Sequence, residues 1–304
     1  MAFSVPSESP AVVFKEVDLT GVVRNVQTTT GAIVGNVRWG PANERVDIAD
    51  EAELVSNFGA PNDTTSVDFH NASMFLRYSQ DLKFVRVVDS AARNAFIATD
   101  GASAPTVLNE DNFEDQVAAL DSDQHSFITR FPSDLGNSLQ VSMCPADSAA
   151  PFNSWEFASA FDAAPGTSDF ASGRSAANDE VHVAVIDQDG LFSGTAGTVL
   201  ETYPFLSLAS NAKAADGSSI YVKDVINSAS DYIHQVGFDS DYTVAGAGQD
   251  AGTITDFKLV APVPKTASFT GGVASGTPTT GAILQGYDLF DDVDTVEVDF
   301  LIPT

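Results

Sequence analysis

A chain of 304 residues with 43% hydrophobic content can bury a real core and is expected to form two domains. Its net charge of −28 repels phosphate backbones and anionic membranes, which makes nucleic acid and lipid poor partners, and no apolar run reaches the ~18 residues needed to insert into a membrane as a helix. The single cysteine, Cys144, excludes an internal disulfide and a zinc site built on several cysteines, and Met1–Pro6 has neither the basic nor the apolar region of a signal peptide.

Residues 11–17 are Val-rich and follow a polar, proline-containing leader, so they read as an isolated strand. Ala32-Ile33-Val34-Gly35-Asn36-Val37 reads as a buried strand that Gly40-Pro41 ends, and Arg45 to Ile48 as a short second one. Asp50 is placed to cap a helix from Glu51 to Phe58, with Glu53 as the capping-box partner and Gly59 and Pro61 as the stop. A second helix is predicted from Ser66, and Leu82 to Val88 as a strand. This order of strand, helix, helix, strand suggests an α/β layer.

From Ser90 the texture becomes rich in small residues, Asp and Gly. Helix is predicted for Asn112 to Leu120, and strands for Phe127 to Phe131, Ser138 to Met143, Val181 to Ile186 and Thr198 to Leu206. Asp187-Gln188-Asp189-Gly190 reads as a turn. Tyr221, Val225, Ile226, Ala229, Tyr232, Ile233 and Val236 fall on one face of a helix. Then come a Gly/Ala loop over Ala245 to Gly252, a strand from Ile254 to Val260, a helix from Thr280 to Phe290 and a strand from Thr295 to Ile302.

The expected fold is mixed α+β. An extended N-terminal arm (1–20) precedes an α/β framework domain (21–89 plus 273–304), into which an acidic, β-rich, sandwich-like domain (90–272) is inserted. Charge gives modest support to the first boundary. Residues 1–89 hold 7 basic and 12 acidic side chains, whereas residues 90–272 hold 7 basic and 24 acidic, a net of −17. Such a middle reads as a projecting, solvated face, or as adaptation to a salty habitat; the two are compatible.

No catalytic constellation emerges, and no enzyme activity is expected. Asp187-Gln188-Asp189-Gly190 is half of a calcium loop, but its twelfth position is Thr198 rather than Glu. Asp288, Asp291, Asp292 and Asp294 read as a solvated helix end more readily than as a cation site. His70, His125, His182 and His234 lack metal-ligand spacing, and Cys144 reads as a small buried hydrophobe. Phe75 is expected in the core. Arg38 and Trp39 are candidate interface residues, with Trp39 equally at home in a core.

The ordered set Ser9-Pro10-Ala11-Val12-Val13-Phe14-Lys15-Glu16, Arg38-Trp39-Gly40-Pro41, Phe58-Gly59-Ala60-Pro61, Phe75-Leu76-Arg77-Tyr78 and Leu82-Lys83-Phe84-Val85-Arg86-Val87-Val88 resembles the N-terminal and middle portion of contractile tail sheath proteins of myophages. The resemblance continues thinly through Phe131 to Leu139 and returns at Thr270-Gly271-Gly272-Val273 and at the helix from Thr280. It implies a structural protein of the virion tail, made in the host cytoplasm. Copies would polymerise around a tail tube, between baseplate and tail terminator. Contraction would then drive the tube through the host envelope, with no cofactor. It also implies that Val12, Val13, Phe14, Lys15 and Val17 form an arm strand that adds to a neighbour's sheet, although pairing within their own chain is open. Family members continue into a large C-terminal domain that grips the tube, so the resemblance assigns no tube-contact residues to this sequence. The competing reading is a secreted acidic β-rich module that binds calcium or carbohydrate.

Overall fold

The computed structural model describes residues 29–98, 102–122, 125–146, 149–238, 246–257, 264–292 and 294–304. The arm residues Val12, Val13, Phe14, Lys15 and Val17 lie outside these segments. The described chain is a mixed α+β structure with three sheets.

The first sheet contains β1 (Gly31–Gly35), β2 (Arg45–Ile48), β3 (Leu82–Arg86) and β11 (Phe300–Ile302), in the order β11-β1-β3-β2. β1 runs parallel to both β3 and β11, while β2 is antiparallel to β3. The alternation of side chains along each strand supplies two apolar faces. Ile33 and Phe84 point to a core closed by α1 (Glu51–Phe58) and α2 (Ser66–Leu76), through Leu54, Phe58, Phe69 and Phe75. Val34 and Val85 point the other way, against Ile283, Tyr287 and Phe290 of α7 (Thr280–Asp288) and the residues after it. Gly286 lets α7 lie close to the sheet, since a Cβ there would sit 2.5 Å from Val34.

The capping signals of α1 hold. The Glu53 amide donates to Asp50 Oδ1 at 2.8 Å, and the Glu53 carboxylate accepts from the Ala49 amide, one residue ahead of the cap, at 2.8 Å. The Gly59 amide closes the helix on Val55 O at 2.8 Å. Gly40 combines a φ of 92° with an approach that would put a Cβ 2.6 Å from the Phe58 ring, so no other residue fits the turn that follows β1.

Between β3 and α7 the chain builds two antiparallel sheets. One joins β4 (Phe96–Ala98), β5 (His125–Thr129) and β9 (Ile233–Gln235), covered by α3 (Glu110–Ser122). The other orders β6 (Leu139–Pro145), β7 (Glu180–Asp187), β8 (Thr198–Ser207) and β10 (Lys265–Ser268) as β10-β6-β7-β8. Their facing sides share one core, which holds Phe127, Val141, Val183, Leu206 and Ile226. Ile226 comes from α6 (Val222–Ala229). Short α4 (Ala149–Ser154) and α5 (Asp169–Ser172) lie between β6 and β7; Trp155 and Phe161 cover the far face of that sheet beside Cys144. The strands that enter and leave this region run side by side, with Phe96 and Thr270 exchanging both backbone bonds at 2.9 and 3.1 Å.

Several sequence expectations are corrected. The helix predicted through Val236 stops at Ala229, and Ile233–Gln235 is strand β9 instead. The Glu201 carboxylate takes the Ser230 hydroxyl and the Asp231 amide at 2.7 and 2.8 Å, and Asn227 holds the Gln235 backbone through two bonds; tertiary bonds override the helical period. Ile254 to Phe257 makes only isolated bridges, and the final strand begins at Phe300 rather than Thr295. β4, β10, α4 and α5 were not legible as elements; they have only three to six residues each.

Candidate functional site

Of the acidic candidates, Asp187 has a structural role. Asp187 is fully buried, and its two carboxylate oxygens accept six hydrogen bonds. Oδ1 takes the Ser138 hydroxyl and the amides of Gly190 and Leu191; Oδ2 takes the amides of Phe192 and Ser193 and the Ser193 hydroxyl, all at 2.6–3.0 Å. Burial by itself would raise this carboxyl's pKa, but the bonds from Ser138, Ser193 and Phe192 hold it below the ordinary range. The predicted turn is thus the root of a longer β7–β8 loop folded around one carboxylate, whose lone pairs are taken. Asp288, Asp291, Asp292 and Asp294 are exposed. Among the described residues no group of three or more His, Cys, Asp or Glu side chains is placed to hold a metal ion.

The histidines are dispersed. His70 is exposed on α2, while His125 and His182 are buried on backbone partners. Cys144 is buried, and desolvation pushes its thiol up to about 11, away from nucleophilic behaviour. His234 stacks on Phe113 with ring centroids 3.9 Å apart, and its Nε2 lies 3.7 Å from Glu110, which Arg130 also contacts. Burial, with a smaller push from Arg130, lowers its pKa to about 3. The unfolded chain therefore takes up a proton first as pH falls below 6.5. This contribution to stability is fully present above that pH and is lost progressively down to the folded value. We expect His234→Phe to flatten the stability profile between pH 7 and 5 by about 2 kcal/mol. Urea titrations at both pH values measure it, and parallel profiles for the two proteins would contradict it.

Arg38 and Trp39 leave β1 on the side of the second core. Trp39 is 4% exposed and meets Phe131 and Phe192 edge-on, at centroid distances of 5.5 and 5.0 Å. Arg38 Nη2 lies 3.3 Å from Asp134. A residue that sequence reading missed sits beneath them. Arg86 is fully buried, and its guanidinium donates to the carbonyls of Val37, Gly40, Arg38 and Pro132 at 2.9, 2.6, 3.2 and 2.7 Å. Desolvation lowers its pKa to about 9. As one basic residue in a strand it carried no sequence signal.

The feature suited to recognition is the edge of the first sheet. β2, at one edge, exposes Arg45 and Asp47, and Lys83 bridges Asp47 and Asp81 at 2.8 and 3.1 Å; charges of this kind discourage strand addition. β11, at the other edge, exposes Phe300 (59%) and Leu301 (63%). Among the described residues no strand pairs with its outer side. Beside it, the Asn71 amide group donates to Pro303 O at 3.1 Å. Asn71 stands in an α2 stripe with Val67 and Met74, and Tyr78 follows just past the helix end; all three of these apolar side chains are exposed. A strand edge unpaired among the described residues, next to an apolar helix stripe, can bind another chain.

The first sheet thus has one charge-protected edge and one apolar edge that is unpaired among the described residues, a place where another chain can bind. Comparison with known proteins makes this specific. The chain is 33% identical over 226 residues to the tail sheath protein of Salmonella phage ViI, covering 74% of this chain and 33% of that one. It is 36% identical over 110 residues to the tail sheath protein of Vibrio phage KVP40, covering 34% of this chain and 16% of the relative. For the tail sheath protein of Enterobacteria phage T4 the identity is 39% over 88 residues, or 29% of this chain and 13% of the relative. The chain is a homologue of phage tail sheath proteins, and spans about a third of the length of the first of these relatives. No family model matches it. Among solved structures, a sheath tail protein from Listeria innocua aligns at 11% identity with a TM-score of 0.44, over 90% of this chain and 40% of that one. A sheath tail protein from Desulfitobacterium hafniense aligns at 10% with a TM-score of 0.44, over 96% and 45%.

Proposed function

We propose that this chain is a structural subunit of a contractile tail sheath and a component of the virion, made in the host cytoplasm. It polymerises with copies of itself around a tail tube, between baseplate and terminator, and contracts to drive the tube through the host envelope. It is not an enzyme and uses no cofactor. The observation that supports the reading is the β11 edge, apolar and unpaired among the described residues, in a homologue of sheath proteins. Residues 11–17 of a neighbouring copy, with Val12, Val13, Phe14, Lys15 and Val17, supply a further strand, the valines and Phe14 giving strand propensity. Backbone bonds repeated at every subunit keep the lattice connected while rigid bodies reorient.

In this reading residues 21–89 and 273–304 form the framework near the tube axis. Residues 90–272, with a net charge of −17, face outward, because burying them against copies of themselves would bring like charges together in a low dielectric. The antiparallel run of residues 93–96 beside 270–273 supports a boundary there.

The test is electron microscopy and light scattering of three proteins: the intact chain, a deletion of residues 1–20, and Leu301→Lys. The intact chain should form rings or tubes. Both variants should keep the circular dichroism of the intact chain but stay monomeric, and Val13→Pro should weaken association. Normal tubes from either the deletion or Leu301→Lys would refute the arm-and-edge arrangement.

A further inference from the structure

We infer that Arg86 is a pin that fixes the angle between the first sheet and the two sheets of the middle region. The inference concerns the isolated chain and holds whatever it assembles into.

The guanidinium has an unusual set of partners. It is buried with no carboxylate in ion-pair range among the described residues, in a protein with a net charge of −28. Burying a cation without a counter-charge is costly, and an apolar side chain of similar volume would avoid the cost. What an apolar residue could not do is join four backbone carbonyls that belong to different parts of the fold. Three of them, on Val37, Arg38 and Gly40, lie on the connection that leaves β1. The fourth, on Pro132, lies on the connection that leaves β5. Arg86 itself ends β3. One planar group with five donors therefore ties two strands of the first sheet to the strand at the centre of another.

The other contacts at this junction follow from that tie. The segment held by Arg86 is the one that carries Trp39 into the second core and Arg38 to Asp134. Just beyond it, the Ala42 amide donates to Leu108 O at 2.9 Å, and the Asn109 side chain donates to Ala42 O at 3.0 Å. Apolar packing across the junction is incomplete. A cleft of about 450 Å³ separates Val55 and Asn57 on the first sheet's side from Phe131, Leu191 and Tyr232 opposite. Where packing does not fill the space between two bodies, directional bonds set their angle, and the cleft is the room into which they would swing.

The test uses the whole chain with spin labels on Arg77→Cys and Ala196→Cys, both exposed and on opposite sides of the junction. Cys144 is buried and stays unlabelled. Pulsed dipolar distances should form one narrow distribution with Arg86 present. Arg86→Met should broaden it by several ångströms, while amides inside all three sheets remain protected. Exchange at the Ala42 and Ser133 amides should rise by about tenfold or more, the effect of losing roughly one net hydrogen bond. Arg86→Lys, with one donor group in place of the fork, should fall between. An unchanged distance distribution in Arg86→Met would overturn the inference. If Arg86→Met fails to fold, native-state exchange of the unaltered chain in low urea decides. The pin requires residues 37–43 and 129–135 to open together, below the global unfolding free energy; independent opening, or opening only with global unfolding, would overturn it.

Discussion

Replacing Trp39 by alanine should destabilise the chain by about 3–5 kcal/mol, the usual cost of removing a large aromatic from a core that cannot collapse around the gap. Trp39 is 4% exposed and comes from the first sheet, yet its neighbours Phe131, Leu135 and Phe192 belong to the middle region. Two edge-on aromatic pairs add about 0.5–1.5 kcal/mol each to simple burial. The loss should also be partly local, because a cleft already adjoins the indole and water can enter from it. Urea unfolding followed by Trp155 fluorescence reads the effect with the remaining tryptophan. Trp39→Phe should recover about half of the stability. A loss under ~1 kcal/mol for the alanine variant would mean that Trp39 is not a core residue of the single chain.

Asp187→Ala should cost about 2–4 kcal/mol, with the effect concentrated in the β7–β8 loop. The carboxylate gathers four consecutive amides, from Gly190 to Ser193, and two hydroxyls. Without it the amides must find water, and Phe192, which rests on Trp39 and Tyr232, loses its support. Asp187→Asn should be milder, since one oxygen still accepts while the amide nitrogen cannot. The pH sign follows from the depressed pKa. The stabilisation is present above the ordinary carboxylate value of 3.8 and is lost as pH falls through the folded value. Hydrogen exchange across residues 188–197, with and without calcium, provides the measurement. Because the oxygens are fully engaged, calcium should change neither protection nor melting temperature. A calcium-dependent rise in either would favour the secreted calcium-binding reading of the sequence.

Local signals and tertiary signals contributed differently. Gly59, Asp50 and Glu53 marked α1 because capping is settled within a few residues. β1, β3 and β7 were visible as short apolar runs because strands covered on both faces need continuous hydrophobicity. The stretch from Tyr221 to Val236 misled, since the same apolar positions fit a long helix and a helix followed by a strand. Glu201, twenty or more residues away, decides between them. Asp187 showed the opposite failure. Its acidic context suggested a turn or a cation, whereas the six donors that surround it depend on the loop's three-dimensional path.

The sequence by itself determined the family resemblance, the acidic middle, the mixed α+β character and the elements from β1 to β3, because composition, caps and strand periodicity are local properties of the chain. Only the tertiary structure decided which strands form the edges of the first sheet. That depends on β11 pairing in parallel with β1 across some 270 positions, and no local pattern encodes a partner at that distance. The same holds for Arg86. One basic residue in a strand carries no mark of what it will hold, and its role exists only once the ends of β1, β3 and β5 meet around it.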